Sequence, residues 1–281
     1  MLLTKQLTKT FGSEIQNIQI TADMDEIVFQ EIINVWNKSG IILFRNQKLS
    51  ESDLVTFSRR IGKLEEHVRT EWLSDSNPEI LVLSNIKKGG KMIGGLSNSE
   101  INWHYDQIYL PKPALGSLLT SVIIPPEGGS TYFADMCSVY NKLPDALRQK
   151  ILKLKAIQSY ENFNQGHTIK TKSAIKNKTP DVTHPIVRTH PVTGKKALYI
   201  CPGMTTSIVG LSKTESDLLL KELFAFSIQP DFVYRHNWKV GDAILWDNAC
   251  TMHRRDDFNN KYDRLMKRTT ILPPDSVAVP I

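Results

Sequence analysis

The sequence predicts an α+β fold with a β-rich core, a sandwich or barrel that carries its helices outside, and three observations lead there. Beyond residue 101, short apolar runs follow one another, each bounded by Gly, Pro, Asn or Asp, the pattern of many short strands. Two helix signatures precede these runs and two more interrupt them. No internal repeat and no linker-like stretch divides the 281 residues. One domain is therefore expected over 1–281, with 1–100 as α/β decoration and lid and 101–281 as the core with helical insertions.

The first helix is expected from a cap at Asp23 to about Lys38, with Ile27, Glu31, Ile32, Val35 and Trp36 as a mostly apolar stripe and Gly40 as its stop. Ile41 to Arg45 reads as a buried strand. Ser50 and Asp53 form a capping-box pattern for a second helix to about Arg60, stopped by Gly62. Ile80 to Ser84 is the next strand. Lys87 to Glu100, with Gly89, Gly90, Gly94 and Gly95, reads as a flexible loop and matches neither G-x-G-x-x-G nor a Walker motif. Its place just ahead of His104 makes it a candidate lid. Strands are then expected at Leu118–Ile124, Ser130–Ala134, Ala197–Cys201, Phe232–Trp238, Ala243–Asp247 and Arg264–Leu272. Helices begin at Pro144 and at Ser212, where Glu215 completes a second capping box.

Composition narrows the function classes. Hydrophobic content of 41% and charged content of 23% are globular values, and the longest apolar run, Leu115 to Ile124, is far too short to span a bilayer. The first residues lack the apolar core of a signal peptide. Cys137, Cys201 and Cys250 are scattered, which points to neither a disulfide framework nor a zinc site and favours a reducing, cytoplasmic setting. The net charge of +6 suits small anions as well as nucleic acid. The densest basic cluster, Lys170, Lys172, Lys176 and Lys178, has no aromatic residues to stack bases, so neither nucleic acid nor membrane is expected as a partner.

The chemistry-bearing residues are His104 and Asp106, one apart in Trp-His-Tyr-Asp, and His253 far downstream. In extended chain, residues two apart point to the same side, so His104 and Asp106 can share one ion while Tyr105 points away. The third ligand must come from another segment, and His253 falls just past the strand expected at Ala243–Asp247. Two imidazoles and one carboxylate make the facial triad of non-haem iron oxygenases, which leaves about three of six octahedral positions open. Eleven residues past His253 stands Arg264, and four further Arg268, on one face of the last expected strand and about 13 Å apart. One guanidinium can clamp a carboxylate-bearing co-substrate while the other meets a second anion.

Five stretches carry a family resemblance: Asn-Trp-His-Tyr-Asp (102–106), Pro-Pro-Glu-Gly-Gly-Ser-Thr (125–131), His-Pro-Ile-Val-Arg-Thr-His-Pro-Val-Thr-Gly-Lys (184–195), Gly-Asp-Ala-Ile-Leu-Trp-Asp-Asn (241–248) and Arg-Leu-Met-Lys-Arg-Thr-Thr (264–270). Together, from about Gly40 to Leu272, the chain resembles the taurine dioxygenase / 2,4-dichlorophenoxyacetate dioxygenase family of Fe(II)- and 2-oxoglutarate-dependent oxygenases. The resemblance implies a double-stranded β-helix (jelly roll) with flanking helices, and Fe(II), 2-oxoglutarate and O2 as cofactor and co-substrates. It implies His104, Asp106 and His253 as iron ligands, Arg264 with Thr131 on 2-oxoglutarate, and His67, Arg268 and Met204 at the substrate. His184 and His190 are expected to be structural. The reaction implied is hydroxylation of an unactivated C–H bond in a small, anionic organic substrate of sulfonate, sulfate ester or aryloxyalkanoate type, with release of succinate and CO2. The related halogenases lack the carboxylate that Asp106 supplies, so oxygenation is the expected outcome. Desaturation, cyclisation or an amino-acid-like substrate would use the same residues. A non-catalytic acid-binding protein would be expected to lack the triad or the arginine.

Two departures from the taurine enzyme stand out. Thr70 replaces a tyrosine three residues after His67, and Glu100 replaces an asparagine four residues before His104. They point away from taurine toward a larger or differently charged substrate. Members of this family are commonly homo-oligomers, and a dimer or tetramer is expected.

Overall fold

The computed structural model describes residues 2–67, 70–95, 98–164 and 179–274. The basic cluster from Lys170 to Lys178 lies outside them, as do Leu96 and Ser97 of the glycine-rich stretch.

Strands β1 (Thr4–Gln6) and β2 (Ser13–Ile15) lead into helix α1 (Glu26–Ser39). Asp25, not Asp23, caps that helix: its carboxylate accepts from the Ile27 and Val28 amides. The buried stripe is Phe29, Ile32 and Trp36, whereas Ile27, expected on it, is 73% exposed. Gly40 ends the helix at φ +72, where a side chain would be strained, and its N–H donates to the Trp36 carbonyl. Strand β3 (Ile41–Phe44) follows, then α2 (Glu51–Ile61), which has the expected capping box of Ser50 and Asp53. After β4 (Ile80–Ser84), the expected loop begins as a small hairpin, β5 (Lys87–Lys88) with β6 (Lys91–Met92).

The remaining elements, in order, are β7 (Ile101–His104), β8 (Gly116–Ile123), β9 (Thr131–Asp135), α3 (Met136–Lys142), α4 (Asp145–Ile151), β10 (Lys155–Gln158) and α5 (Tyr160–Asn164). They continue as β11 (Val182–Pro185), β12 (Val187–Thr189), β13 (Lys196–Leu198), β14 (Thr205–Ile208), α6 (Lys213–Ser227), β15 (Val233–His236), β16 (Ala243–Asp247), β17 (Thr251–Arg255) and β18 (Leu265–Ile271). Pro144 immediately precedes α4, and Ser212 and Glu215 form the capping box of α6.

Two sheets set the architecture. The larger runs β1-β2-β3-β16-β8-β18-β4, antiparallel except between β2 and β3, and the smaller runs β15-β9-β17-β7. Alternation along the strands sorts side chains into layers. Ile41, Leu43, Leu119, Ile244, Trp246 and Met266 of the larger sheet meet Phe133 of the smaller one. The opposite positions, Ile42, Phe44, Leu118, Ala243 and Leu245, pack on Phe29, Ile32, Trp36, Leu54 and Phe57 of α1 and α2. Each large side chain so buried contributes about 1.5–3 kcal/mol. The far side of the smaller sheet packs against α3, α4 and α6 in a third cluster. The site lies where β7 and β17 adjoin, at the layer between the sheets. Among the described residues no helix is long and apolar enough to cross a membrane.

Candidate active site

Strands β7 and β17 are antiparallel neighbours, and His253 stands opposite His104 in their register. The reading of His253 as a residue just past a strand is corrected here: β17 is a strand of its own, and its central position lets the imidazole project between the sheets. Phe133 flanks His253 on β9, its ring 6.1 Å away, and Trp246 approaches from the larger sheet at 4.9 Å. The two histidine rings lie 4.1 Å apart, centre to centre. Asp106 comes back to them two residues beyond the end of β7. Its Oδ1 is 3.9 Å from His253 Nε2, and the ligand atoms of His104, Asp106 and His253 all lie within 4.8 Å of one another.

The surroundings prepare these groups for a cation. His104 Nδ1 donates to the Asn102 carbonyl at 2.8 Å, which leaves Nε2 as a lone-pair donor. Burial, with His104 alongside, holds the His253 imidazole well below its ordinary pKa, so it is neutral, as a ligand must be. Burial pushes the Asp106 carboxyl up, but Arg268, His253, His104 and the Ser117 hydroxyl together outweigh it and keep Asp106 ionised. Ser117 Oγ donates to Asp106 Oδ2 at 2.6 Å, and Asn248 Oδ1 accepts from the Asp106 amide at 3.3 Å. Asn248 sits in the Trp-Asp-Asn stretch already singled out, whereas nothing in the sequence marks Ser117. Two imidazoles and one carboxylate lining a cavity fit a ferrous ion.

A second cluster, His190, Asp247 and Cys250, also brings ligand atoms within 4.8 Å, yet both imidazole nitrogens are in use. Nε2 donates to Asp247 Oδ2 at 2.7 Å, and Nδ1 accepts from the Val192 and Thr193 amides. His190 thus ties the β12–β13 hairpin to the end of β16. His184 meets the Leu110 carbonyl at 3.0 Å.

All eight residues expected at the site, His67, His104, Asp106, Thr131, Met204, His253, Arg264 and Arg268, line one cavity of about 390 Å³. Arg264 is 2% exposed, and among the described residues its guanidinium has a single weak hydrogen bond, to the Gly129 carbonyl at 3.5 Å, while its Nε has none. Burial, with Arg255 nearby, brings its pKa down to about 9. A buried cation with no anionic partner among the described residues is a receptor for an anion. Thr131 Oγ1 accepts from Trp238 Nε1 at 2.9 Å, which leaves its proton for the same anion. Arg268 is not free to serve only a substrate, because its Nη1 contacts Asp106 Oδ1 at 2.9 Å.

Two further expectations change. Glu100 is exposed and paired with Arg254 at 3.0 Å, so it places no carboxylate in the cavity, and that argument against taurine falls. Part of the glycine-rich stretch is pinned: the Gly95 N–H donates to the Val82 carbonyl, and a Cβ on Gly95 would come within 2.0 Å of the Trp72 ring. The indole occupies that space and lines the cavity.

Sequence reading missed Gln107 and Glu65. Gln107 lines the cavity immediately after Asp106 at φ +59, a conformation costing a non-glycine residue about 1–2 kcal/mol. Burial pushes the Glu65 carboxyl up to about 7 despite the opposing charge of Arg268.

Residues 3–270 match the family described as taurine catabolism dioxygenase TauD, TfdA family. The chain is 31% identical to the alpha-ketoglutarate-dependent 2,4-dichlorophenoxyacetate dioxygenase of Cupriavidus pinatubonensis, over 96% of this chain and 98% of that one. It is also 31% identical to the pentalenolactone F synthase of Streptomyces avermitilis, over 98% and 95% respectively. Among solved structures, AAD-2 in complex with Mn(II) and N-oxalylglycine superposes with a TM-score of 0.82 at 28% identity, covering 98% of both chains.

Proposed function

Because the chain belongs to the TauD/TfdA family of alpha-ketoglutarate-dependent dioxygenases, we propose that it hydroxylates an unactivated C–H bond of a small, anionic organic substrate of sulfonate, sulfate ester or aryloxyalkanoate type. The reading rests on one observation: a two-histidine, one-carboxylate cluster and a buried arginine with no anionic partner among the described residues share a single cavity. When bound, ferrous iron with 2-oxoglutarate supplies the oxidising power drawn from dioxygen, with succinate and CO2 as co-products. His104, Asp106 and His253 would hold the metal, with Ser117, Asn248 and the Asn102 carbonyl fixing their orientation. Arg264 and the Thr131 hydroxyl would take the distal carboxylate of 2-oxoglutarate. His67, Arg268 and Met204 would meet the substrate, and the aromatic lining of Trp72, Tyr160 and Phe163 would exclude water from the reacting carbon. A double-stranded β-helix is the frame we assign. It is supported by the way consecutive strands alternate between the two sheets, β7 to β8 to β9 and β15 to β16 to β17 to β18.

The test is anaerobic absorption spectroscopy with Fe(II) and 2-oxoglutarate, followed by a panel of sulfonates, sulfate esters and aryloxyalkanoates. A metal-to-ligand band that one class perturbs supports the reading. Failure to form the band with wild-type protein would sink it.

A further inference from the structure

Gln107 is accounted for neither by the triad nor by the two arginines. Its side chain is 5% exposed, it lines the cavity, and both amide atoms, Oε1 and Nε2, lack a hydrogen-bond partner among the described residues. The amide faces the Glu65 carboxyl closely enough to favour its ionised form, but no hydrogen bond closes, and the buried Glu65 Oε2 is also without a partner. Buried polar atoms are nearly always satisfied, so three unsatisfied ones together call for an explanation. The backbone adds a second. Only three non-glycine residues described have positive φ, and Asn17 and Asn46 are of the type that tolerates it. Gln107 is not, and strain of this kind persists where the surroundings impose it, often at ligand sites. Here the Asp106 amide is tied to Asn248 Oδ1 just before the strained residue.

Resting on the dioxygenase reading above, we propose that Gln107 is a specificity-determining residue of the prime-substrate site. It pairs with an uncharged group that both donates and accepts hydrogen bonds, a carboxamide or a hydroxyl, carried by the substrate beside its anionic end. The inventory fits: of the two amide atoms, Nε2 needs an acceptor and Oε1 a donor. A methyl or halogen in that place would leave both amide atoms buried and unpaired, and sites built to hydrogen-bond a group reject analogues lacking it far more strongly than apolar pockets reject a misfit. The proposal narrows the substrate class from small anions in general to those with a second, neutral polar function.

The test uses protein loaded with Mn(II) and N-oxalylglycine, so that binding is read without turnover. Calorimetric titration compares phenoxyacetates and benzenesulfonates that carry a carbamoyl, hydroxyl or methyl group at the same ring position, meta or para. Wild type is expected to bind at least one polar member about tenfold or more tightly than its methyl counterpart. Gln107→Leu should collapse that preference below about threefold. Gln107→Gly removes the amide while relieving the positive φ, so it serves if the leucine variant folds poorly, and it should lose the preference with no fall in melting temperature. Equal binding of methyl and polar members by wild type would overturn the assignment, as would a preference that survives in the variants. Failure of wild type to bind N-oxalylglycine at all would instead remove the dioxygenase reading, and this inference with it.

Discussion

Replacing Arg264 with Met should stabilise the ligand-free protein while shrinking its response to 2-oxoglutarate. The guanidinium is buried, has no anionic partner among the described residues, and has a pKa brought down to about 9 by burial and by Arg255. Each tenfold loss of proton affinity is worth about 1.4 kcal/mol, and the fall spans roughly three decades, so the charged form is penalised by up to about 4 kcal/mol in the native state. At neutral pH the group is protonated in both folded and unfolded chains, so the penalty is present in full and fades only as pH rises through the folded value near 9. Water entering the cavity recovers much of it, and about 1–2 kcal/mol is the realistic gain on removing the charge. A chain of this size gains about 2–3 °C per kcal/mol, so the apo variant should melt about 2–6 °C higher.

Ligand binding reverses the order. With metal present and 2-oxoglutarate at about 100 times its Kd, wild type gains about 2.7 kcal/mol, or roughly 5–8 °C. Loss of a charge-assisted contact worth about 1.5–3 kcal/mol weakens the variant about 10- to 150-fold. At the same concentration its gain should shrink to about 3–4 °C for a tenfold loss and to about 1 °C or less for a roughly 150-fold loss. Differential scanning fluorimetry of both proteins, with and without 2-oxoglutarate, reads both effects. A lower apo melting temperature for Arg264→Met, or equal ligand shifts in the two proteins, would refute the picture of an uncompensated cation awaiting a carboxylate.

Asp106→Ala should reduce 2-oxoglutarate decarboxylation at least a hundredfold, and undiminished turnover in a coupled succinate assay would remove Asp106 from the ligand set. Arg268→Ala should weaken the prime substrate about tenfold or more and also raise the iron requirement, because Arg268 contacts Asp106 at 2.9 Å. Substrate titration and iron titration on the same preparation separate the two, and loss of 2-oxoglutarate affinity alone would contradict both. Glu65, facing Arg268, Asp106 and Gln107, has its carboxyl pushed up to about 7. Its protonated form is favoured in the fold, so its contribution is full below the unfolded carboxylate range and is lost as pH rises through about 7. Glu65→Gln should therefore gain melting temperature relative to wild type between pH 5 and pH 8, and a flat difference across that range would count against a buried, uncompensated Glu65.

What the sequence made legible follows from how locally each feature is encoded. Both capping boxes are written in four consecutive residues, and α2 and α6 begin where those residues say. For α1 the cap was expected at Asp23, two residues early, whereas the Asp25 carboxylate is the one that accepts from the Ile27 and Val28 amides. The stripe was misplaced because packing of Phe29, Ile32 and Trp36 against β16 and β3 is decided by tertiary contacts. β17 was invisible because Thr-Met-His-Arg-Arg has no apolar run, only alternate residues that face a metal site and a helix layer. The triad was legible since His-x-Asp spacing survives at the end of a strand and His253 completes it, and Arg264 because it follows His253 by eleven residues within a family-like stretch of the last expected strand. Ser117, Glu65 and the pairing of Arg268 with Asp106 were not, since each depends on strands brought together from distant parts of the chain.

The charges of the cavity also predict that metal and co-substrate bind cooperatively. Asp106 and Arg268 pair, burial keeps His253 neutral, and Arg264, with Arg255 beside it, leaves the poorly solvated cavity net positive. A divalent ion entering alone raises that imbalance, and a dianion entering with it restores the starting value. Each therefore favours the other, and by linkage the factor is the same in both directions. Part of this coupling is ligation itself, but the part carried by Arg264 can be isolated. Metal affinity measured by calorimetry with Mn(II) should rise at least tenfold when N-oxalylglycine is present. In Arg264→Met the metal alone should bind more tightly than in wild type, since one repelling charge is gone, and the gain from N-oxalylglycine should fall. A variant that binds Mn(II) no better than wild type, with the gain intact, would mean that Arg264 is screened from the metal site and that the charge balance described here does not govern assembly of the centre.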